Sequence, residues 1–326
     1  MKQSITATVT ILASTLLAGC ASQNTIDAAT WQIDGSRLSP ADTTLSIPGL
    51  GPCTDNPDRS LRLDSKQPVT VFVHGCFDSS GRFRSLAQVF AFHGQQTACF
   101  TYDDRASMML SSRQLATALE QLAESMENKA VTVIGHSQGA LIARKALVSD
   151  RPDTTIDHKL QLRLVTVSGP FSGIASANSC VNPLMRALTL GLVGPMCRII
   201  TGEKWSEITH ASEFIRQPGT LHPQVRDYLQ IATDERGACR RSVNGECIET
   251  DDVFSLDEQR NPIIDVQPIT RTMEVKAGHV EIVGDRQVAP DKLIAILQQE
   301  GIMNPTEVSR QKQLGSLLAR LYDLLD

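Results

Sequence analysis

The chain has 326 residues, of which 41% are hydrophobic and 21% charged, and it carries a formal net charge of −5. That length and apolar content are enough for one large domain with a substantial core. An acidic balance with scattered Arg and Lys lacks the basic stripe that nucleic-acid binding needs, so no nucleic-acid partner is expected.

Lys2 heads a short, mostly apolar run over residues 5–16, which ends in Leu17-Ala18-Gly19-Cys20. The run is shorter than the roughly 20 apolar residues that cross a bilayer. Its layout is that of a cleaved signal peptide, with small residues before the cut. The ending resembles the lipobox of bacterial lipoproteins. This resemblance implies a signal peptide over 1–19 and a lipid on Cys20. With Ala21 where inner-membrane lipoproteins carry Asp, it also implies an outer-membrane anchor facing the periplasm of a Gram-negative cell. Residues 20–45, rich in Ser, Thr, Ala and Asp, read as the lipidated cysteine and a tether, and 46–326 as the domain. No later segment is long and apolar enough to span a membrane, so membrane contact is expected through the N-terminal lipid anchor alone.

Within the domain, short β-branched runs alternate with helical patterns. That alternation predicts an α/β fold, a mainly parallel sheet flanked by helices. Residues 69–73 form a buried strand ended by His74-Gly75, and 98–102 form a second. Leu115, Leu119, Leu122 and Met126 recur at spacings of four, three and four, which predicts an amphipathic helix. Residues 130–134 are a third strand, running into Gly135-His136-Ser137-Gln138-Gly139 and a helix that carries Leu141, Ile142, Lys145 and Leu147. Strands are further expected over 162–167, 228–232 and 272–276. Residues of about 171–222 break the alternation, and 183–195 are apolar on nearly all sides. A helical cap over the active site and a helix buried in the core both fit that stretch. The sequence from 306 to 325 predicts a terminal helix with Leu314, Leu317, Leu318, Leu321 and Leu325 along one side.

Export would carry the chain to an oxidising compartment, where cysteines are disulfide candidates before they are metal ligands. Cys239 and Cys247 flank a polar loop with an Asn-Gly turn and are expected to pair. Cys180 and Cys197 bracket a cap segment and make a second pair. The odd number of cysteines beyond Cys20 leaves one of Cys53, Cys76 and Cys99 over. None has CxxC spacing, so no metal is expected.

The segment 135–139 fits G-x-S-x-G. A strand-to-helix turn of that tightness tolerates only very small flanking residues, and it pushes the serine hydroxyl out over the sheet edge. Here the motif follows five strand-like residues and opens a helix, which makes Ser137 the candidate nucleophile. His279 stands just after the last predicted strand, where the base belongs in the chain order Ser, acid, His. Developing charge on a carbonyl oxygen needs preorganised N–H donors. The backbone N–H groups of Gln138 and of Cys76, just after His74-Gly75, are the candidates, and His74 reads as a residue that orders its loop. The acid should follow the strand at 228–232 and precede His279. Asp234, Glu235, Asp251, Asp252, Asp257 and Asp265 meet that condition.

Over about residues 66–300 the sequence resembles α/β-hydrolases of the bacterial lipase and esterase kind. The resemblance is carried by His74-Gly75, by the G-H-S-x-G at 135–139 and by the small-residue turn Ser168-Gly169-Pro170. Ser212-Glu-Phe-Ile-Arg-Gln-Pro218 is also similar to the S-x-F-hydrophobic-R stretch that many lipases carry after the cap. It implies the α/β-hydrolase fold with a helical cap insertion and a Ser-His-Asp triad. The family acid sits in an Asp-x-Val-hydrophobic segment, matched by Asp251-Asp252-Val253-Phe254. That register implies Asp251, with Asp252 close behind and Asp234 kept open because the Cys239–Cys247 segment lengthens the loop. The expected activity is hydrolysis of a carboxylic ester, an acyl or lipid substrate at the cell envelope, through an acyl-enzyme and without a cofactor. An acyltransferase, a thioesterase or an amidase would use the same triad. A lipoprotein that keeps the fold only for binding is the rival from another class.

Overall fold

The computed structural model describes residues 33–149, 159–175, 202, 204–285 and 288–323. The leader with Cys20, the Cys180–Cys197 pair and the apolar stretch 183–195 lie outside the described residues. In chain order the strands and longer helices are β1 (Thr43–Leu45), β2 (Leu50–Gly51), β3 (Leu61–Leu63), β4 (Val69–Val73), α1 (Arg84–Phe92), β5 (Gln96–Phe100), α2 (Met108–Ser125), β6 (Ala130–His136) and α3 (Gln138–Ala146). They continue with β7 (Gln161–Val167), β8 (Val225–Asp234), β9 (Cys239–Val243), β10 (Glu246–Thr250), β11 (Thr270–Lys276), α4 (Asp291–Gln299) and α5 (Gln311–Leu321).

One sheet takes seven of these strands in the order β11-β8-β7-β6-β4-β5-β2. All its neighbours are parallel except the edge strand β2, which runs against β5. Parallel strands need helical crossovers, so both faces are covered and the central strands read as continuous apolar runs. β4 is buried at all five positions. Its side chains alternate between two cores, as the period-two pleat requires. Val69, Val71 and Val73 face Leu115, Leu119 and Leu122 of α2 and Leu141 and Ile142 of α3. Phe72 faces the other way, among Phe83, Phe90 of α1 and Leu293 and Leu297 of α4. Leu314, Leu318 and Leu321 of α5 pack against that second core.

The chain leaves β4 toward β5 on one side of the sheet and returns to β6 on the other. The order therefore reverses between β4 and β6, and the carboxyl ends at such a reversal are the usual binding position in sheets of this kind. Val73 pairs with Gly135, and His136 with Val167, so the loops that follow these strands emerge side by side.

The predicted strands are present with ends shifted by up to three residues, and α2 begins seven residues before the first leucine of the pattern that announced it. The stretch expected as a tether up to residue 45 is partly built into the domain. Asp34 donates its N–H to Gln88 Oε1 at 2.7 Å, the Arg37 guanidinium lies 4.2 Å from the Phe92 ring centre, and β1 pairs with β3. Cys53 is joined to Cys99 across 46 residues of sequence, which leaves Cys76 outside the disulfides of the described residues. Closing a loop of that length restricts the unfolded chain by about 4 kcal/mol in the chain-entropy account. Cys239 is joined to Cys247, and the loop between them is a two-stranded hairpin, β9 and β10. Asn244 and Gly245 both take positive φ, 53° and 83°, the turn that matches the twist of a tight hairpin. Among the described residues no helix is long and apolar enough to cross a membrane.

Candidate active site

Ser137 sits between β6 and α3 with φ 55° and ψ −124°, outside the regions open to most L-residues. Strain of this kind persists only where the surroundings impose it, and two glycines do so here. A Cβ on Gly135 would overlap the backbone of Gly139 and Ala140, and one on Gly139 would overlap the carbonyls of Val73 and His74. The helix can start that close to the sheet only because both positions lack a side chain. Ser137 is therefore lifted over the carboxyl end of the central strand.

His279 lies in the loop after β11, nearly buried, and its Nδ1 is 2.9 Å from Glu235 Oε1. A carboxylate can only accept in that contact, so Nδ1 is the donor. Phe254 meets the imidazole edge-on at 4.8 Å between ring centres. His136 fixes the backbone of the same residue, donating Nε2–H to the His279 carbonyl oxygen at 2.9 Å. Burial, with the nearby His279 ring, holds His136 well below the usual imidazole range, so it stays a neutral donor.

Glu235 is 1% exposed, and a buried carboxylate is tolerable only when its oxygens are satisfied. Oε1 accepts from His279 and from Thr233 Oγ1 at 2.8 Å; Oε2 accepts the backbone N–H groups of Val253 and Phe254 at 2.6 and 2.8 Å. Ser168 Oγ lies 2.6 Å from Thr233 Oγ1 and orients that hydroxyl.

The carboxylate against His279 is thus not that of Asp251, Asp252 or Asp234. Asp251 is buried below the loop, where its carboxylate accepts the N–H groups of Val280 and Glu281 at about 3 Å and its carbonyl accepts that of His279 at 2.9 Å. It shapes the turn that presents the histidine, while burial pushes its own carboxyl above the usual range. Asp252 is exposed. Asp234 ends β8 and pairs with Arg236 at 2.7 Å and Lys276 at 3.5 Å, which holds its carboxyl well below the usual range. Asp265 pairs with Arg260, and Asp257 is exposed. Alternation explains the one-residue difference between Asp234 and Glu235. Thr233 and Glu235 turn to the His279 face of an extended chain, and Asp234 turns to the other. Glu235 was one of six acids the sequence offered, and it becomes the first acid beyond the strand only because β8 extends to Asp234. The Asp-x-Val match to 251–254 outweighed it, because the β9–β10 hairpin separates that segment from the strand it follows in the family pattern.

The loop after β4 lies against the nucleophile: a Cβ on Gly75 would be 3.1 Å from Ser137 Cβ. His74 orders that loop. Its ring stacks on Tyr102 at 4.3 Å, its carbonyl accepts the Tyr102 hydroxyl at 2.7 Å, and burial keeps it below the usual imidazole range. Cys76 follows Gly75, and Gln138 is the first residue of α3, nearly buried. The positive end of the α3 dipole adds to the donor strength of its N–H. Among the described residues no cluster of three or more His, Cys, Asp or Glu is placed to hold a metal ion.

A family model described as palmitoyl protein thioesterase matches residues 68–230. The chain belongs to the palmitoyl protein thioesterase family. It is accordingly a member of the α/β-hydrolase superfamily and a serine hydrolase of ester substrates. The matched segment spans His74, Gly75, Cys76, Ser137 and Gln138 and stops before Glu235 and His279, whose pairing rests on geometry. A comparison with curated protein sequences finds no match. Among solved structures, the mature Bacillus licheniformis lipase BlEst2 superposes with a TM-score of 0.51 and 16% identity, over 80% of this chain and 99% of that one. Its propeptide form gives 0.54 and 16%, over 83% of this chain and 56% of that one. The α/β-hydrolase sheet is what the two proteins share.

Proposed function

We propose that this palmitoyl protein thioesterase family member cleaves an acyl or lipid ester at the cell envelope with Ser137 as nucleophile, His279 as base and Glu235 as acid. The observation that carries the reading is the buried 2.9 Å contact of His279 Nδ1 with Glu235 Oε1, in the loops facing the strained Ser137 elbow. In the first half of the reaction His279 Nε2 takes the Ser137 proton as Oγ attacks the acyl carbonyl. Glu235 holds the tautomer that leaves Nε2 bare and stabilises the imidazolium. The N–H groups of Gln138 and Cys76 receive the oxyanion, roughly 3 kcal/mol of transition-state stabilisation for each donor. His279 then protonates the leaving group, and water, activated by the same nitrogen, releases the acid from the acyl-enzyme.

A thioester is the second reading, favoured by the family match. A thiolate leaves without prior protonation, so thioester cleavage asks less of His279 as an acid. The test is a parallel series of p-nitrophenyl esters and acyl-coenzyme A thioesters, from four to sixteen carbons, with purified protein and a fluorophosphonate probe. Probe labelling with turnover of either series is expected, and the ratio of the two decides between the readings. A protein that neither labels nor turns over any member of either series would be a binding module.

The envelope assignment is separate and rests on Leu17-Ala18-Gly19-Cys20. Cys20→Ser should leave a precursor without diacylglycerol and absent from the membrane fraction. Lipid still found on the variant by mass spectrometry would remove the anchor.

A further inference from the structure

Beyond the triad, a part-buried ion pair links the loop after β5 to the segment that begins at Lys204. Lys204 is 2% exposed, although lysines are almost never buried without a partner. Its Nζ lies 3.0 Å from Asp104 Oδ2, 2.9 Å from Cys76 Sγ and 4.7 Å from the Phe77 ring centre. The same Asp104 oxygen accepts the Phe77 N–H at 2.6 Å, and the Asp104 carbonyl accepts Gln138 Nε2 at 3.1 Å. Asp104 therefore touches both loops that carry the oxyanion donors. Phe77, the residue after Cys76, takes φ 56°, a conformation that a bulky side chain avoids unless it is held. It is held from two sides, by Asp104 at its N–H and by the Lys204 ammonium at its ring.

Residues 202–207 are stitched to the loop beyond β5 at further points. Gly202 lies so close to the Arg105 backbone that a Cβ would overlap it. The Glu207 carboxylate accepts Ser107 Oγ at 2.6 Å and the Met108 N–H, capping the start of α2. Lys204 is thus presented from a docked segment, and its ammonium reaches Cys76 Sγ at 2.9 Å.

We propose that Lys204 and Asp104 are positioning residues that aim the Cys76 N–H at the oxyanion, so that the segment beginning at Lys204 forms part of the support of the oxyanion hole. The inference rests on the Ser137 mechanism above. Losing the ion pair would let Phe77 relax toward negative φ and swing the Cys76 peptide off its target.

The test uses Lys204→Met, Asp104→Asn and the double variant, with p-nitrophenyl butyrate as substrate and an alkyl trifluoromethyl ketone as inhibitor. The ketone adds to the serine and places a full oxyanion in the hole. Removing an oxyanion donor outright costs about 10²–10³ in kcat, so misaiming one should cost ~10–100-fold. The expected result is that loss in kcat with KM nearly unchanged, and a rise of the ketone inhibition constant by the same factor. Because the two residues act as one unit, the double variant should be no worse than the weaker single. A wild-type kcat in folded Lys204→Met, a kcat loss with undiminished ketone affinity, or losses that multiply in the double variant would each overturn the proposal. If Lys204→Met does not fold, Asp104→Asn, which keeps an oxygen for the Phe77 N–H, carries the same comparison. The two readings fail separately: turnover surviving Ser137→Ala rejects the mechanism, whereas an inactive Ser137→Ala beside an unaffected Lys204→Met rejects only this role.

Discussion

Ser137→Ala is expected to abolish fluorophosphonate labelling and to reduce ester turnover by at least about 10⁴, with the fold unchanged. The size follows from how such a site works. Nucleophile and base act as a unit, so removing the hydroxyl removes the covalent route, and only binding and the oxyanion donors still act on a water molecule. Stability should move by less than about 1 kcal/mol, because the substitution deletes one oxygen and alanine tolerates the elbow no worse than serine. The backbone strain at φ 55° is imposed by Gly135 and Gly139 and does not depend on the side chain it presents. Circular dichroism and thermal melting measure the fold, and pre-steady-state release of p-nitrophenol measures the acyl-enzyme. Wild-type turnover in the folded variant would reject Ser137 as the nucleophile.

How much of this was legible beforehand depends on the range of the forces involved. The six parallel strands of the central sheet and the G-x-S-x-G turn are local: β-branched runs, a helix period and two glycines decide them within some ten residues of chain. The short strands β1, β2 and β3 have two or three residues each and no pattern of their own, and they exist because β5 and one another are there to pair with. The Cys53–Cys99 bond was one of three open pairings, and only the approach of the β2 edge to β5 selects it. The ion pair of Lys204 with Asp104 joins residues 100 apart in sequence and leaves no local trace. The acid fell between these cases. A place shortly after a strand was readable for Asp234 and Glu235 alike, but choosing Glu235 required knowing that β8 runs to Asp234 and that β9 and β10 fold back on themselves. The hairpin returns the chain so that Asp251 N–H meets the Ala238 carbonyl, which brings Asp251 beneath the His279 loop as a brace while Glu235 keeps the ring.

Glu235→Gln should therefore lower kcat by at least about a hundredfold, while Asp251→Asn stays within roughly tenfold. The glutamine is nearly isosteric, and its oxygen will be claimed by the Val253 and Phe254 N–H groups, which need an acceptor inside the protein. Its NH₂ then confronts His279 Nδ1–H, donor against donor. The ring escapes by moving its proton to Nε2, and in that tautomer it cannot accept the Ser137 proton. In a serine protease the corresponding acid-to-amide change costs about 10⁴ in kcat. Asp251→Asn removes a charge but not the brace. An amide oxygen at the place of Oδ2 still accepts Val280 N–H at 3.1 Å and Glu281 N–H at 2.9 Å, so the turn survives with weaker bonds. The loss belongs in stability, about 1–2 kcal/mol, since hydrogen bonds to a charged acceptor are worth more than those to a neutral one. Proton NMR gives a direct readout: the downfield Nδ1–H resonance of His279 should vanish in Glu235→Gln and persist in Asp251→Asn. A hundredfold loss in Asp251→Asn beside a near-normal Glu235→Gln would return the acid to the register implied by the lipase resemblance and make the Glu235 contact a resting-state arrangement.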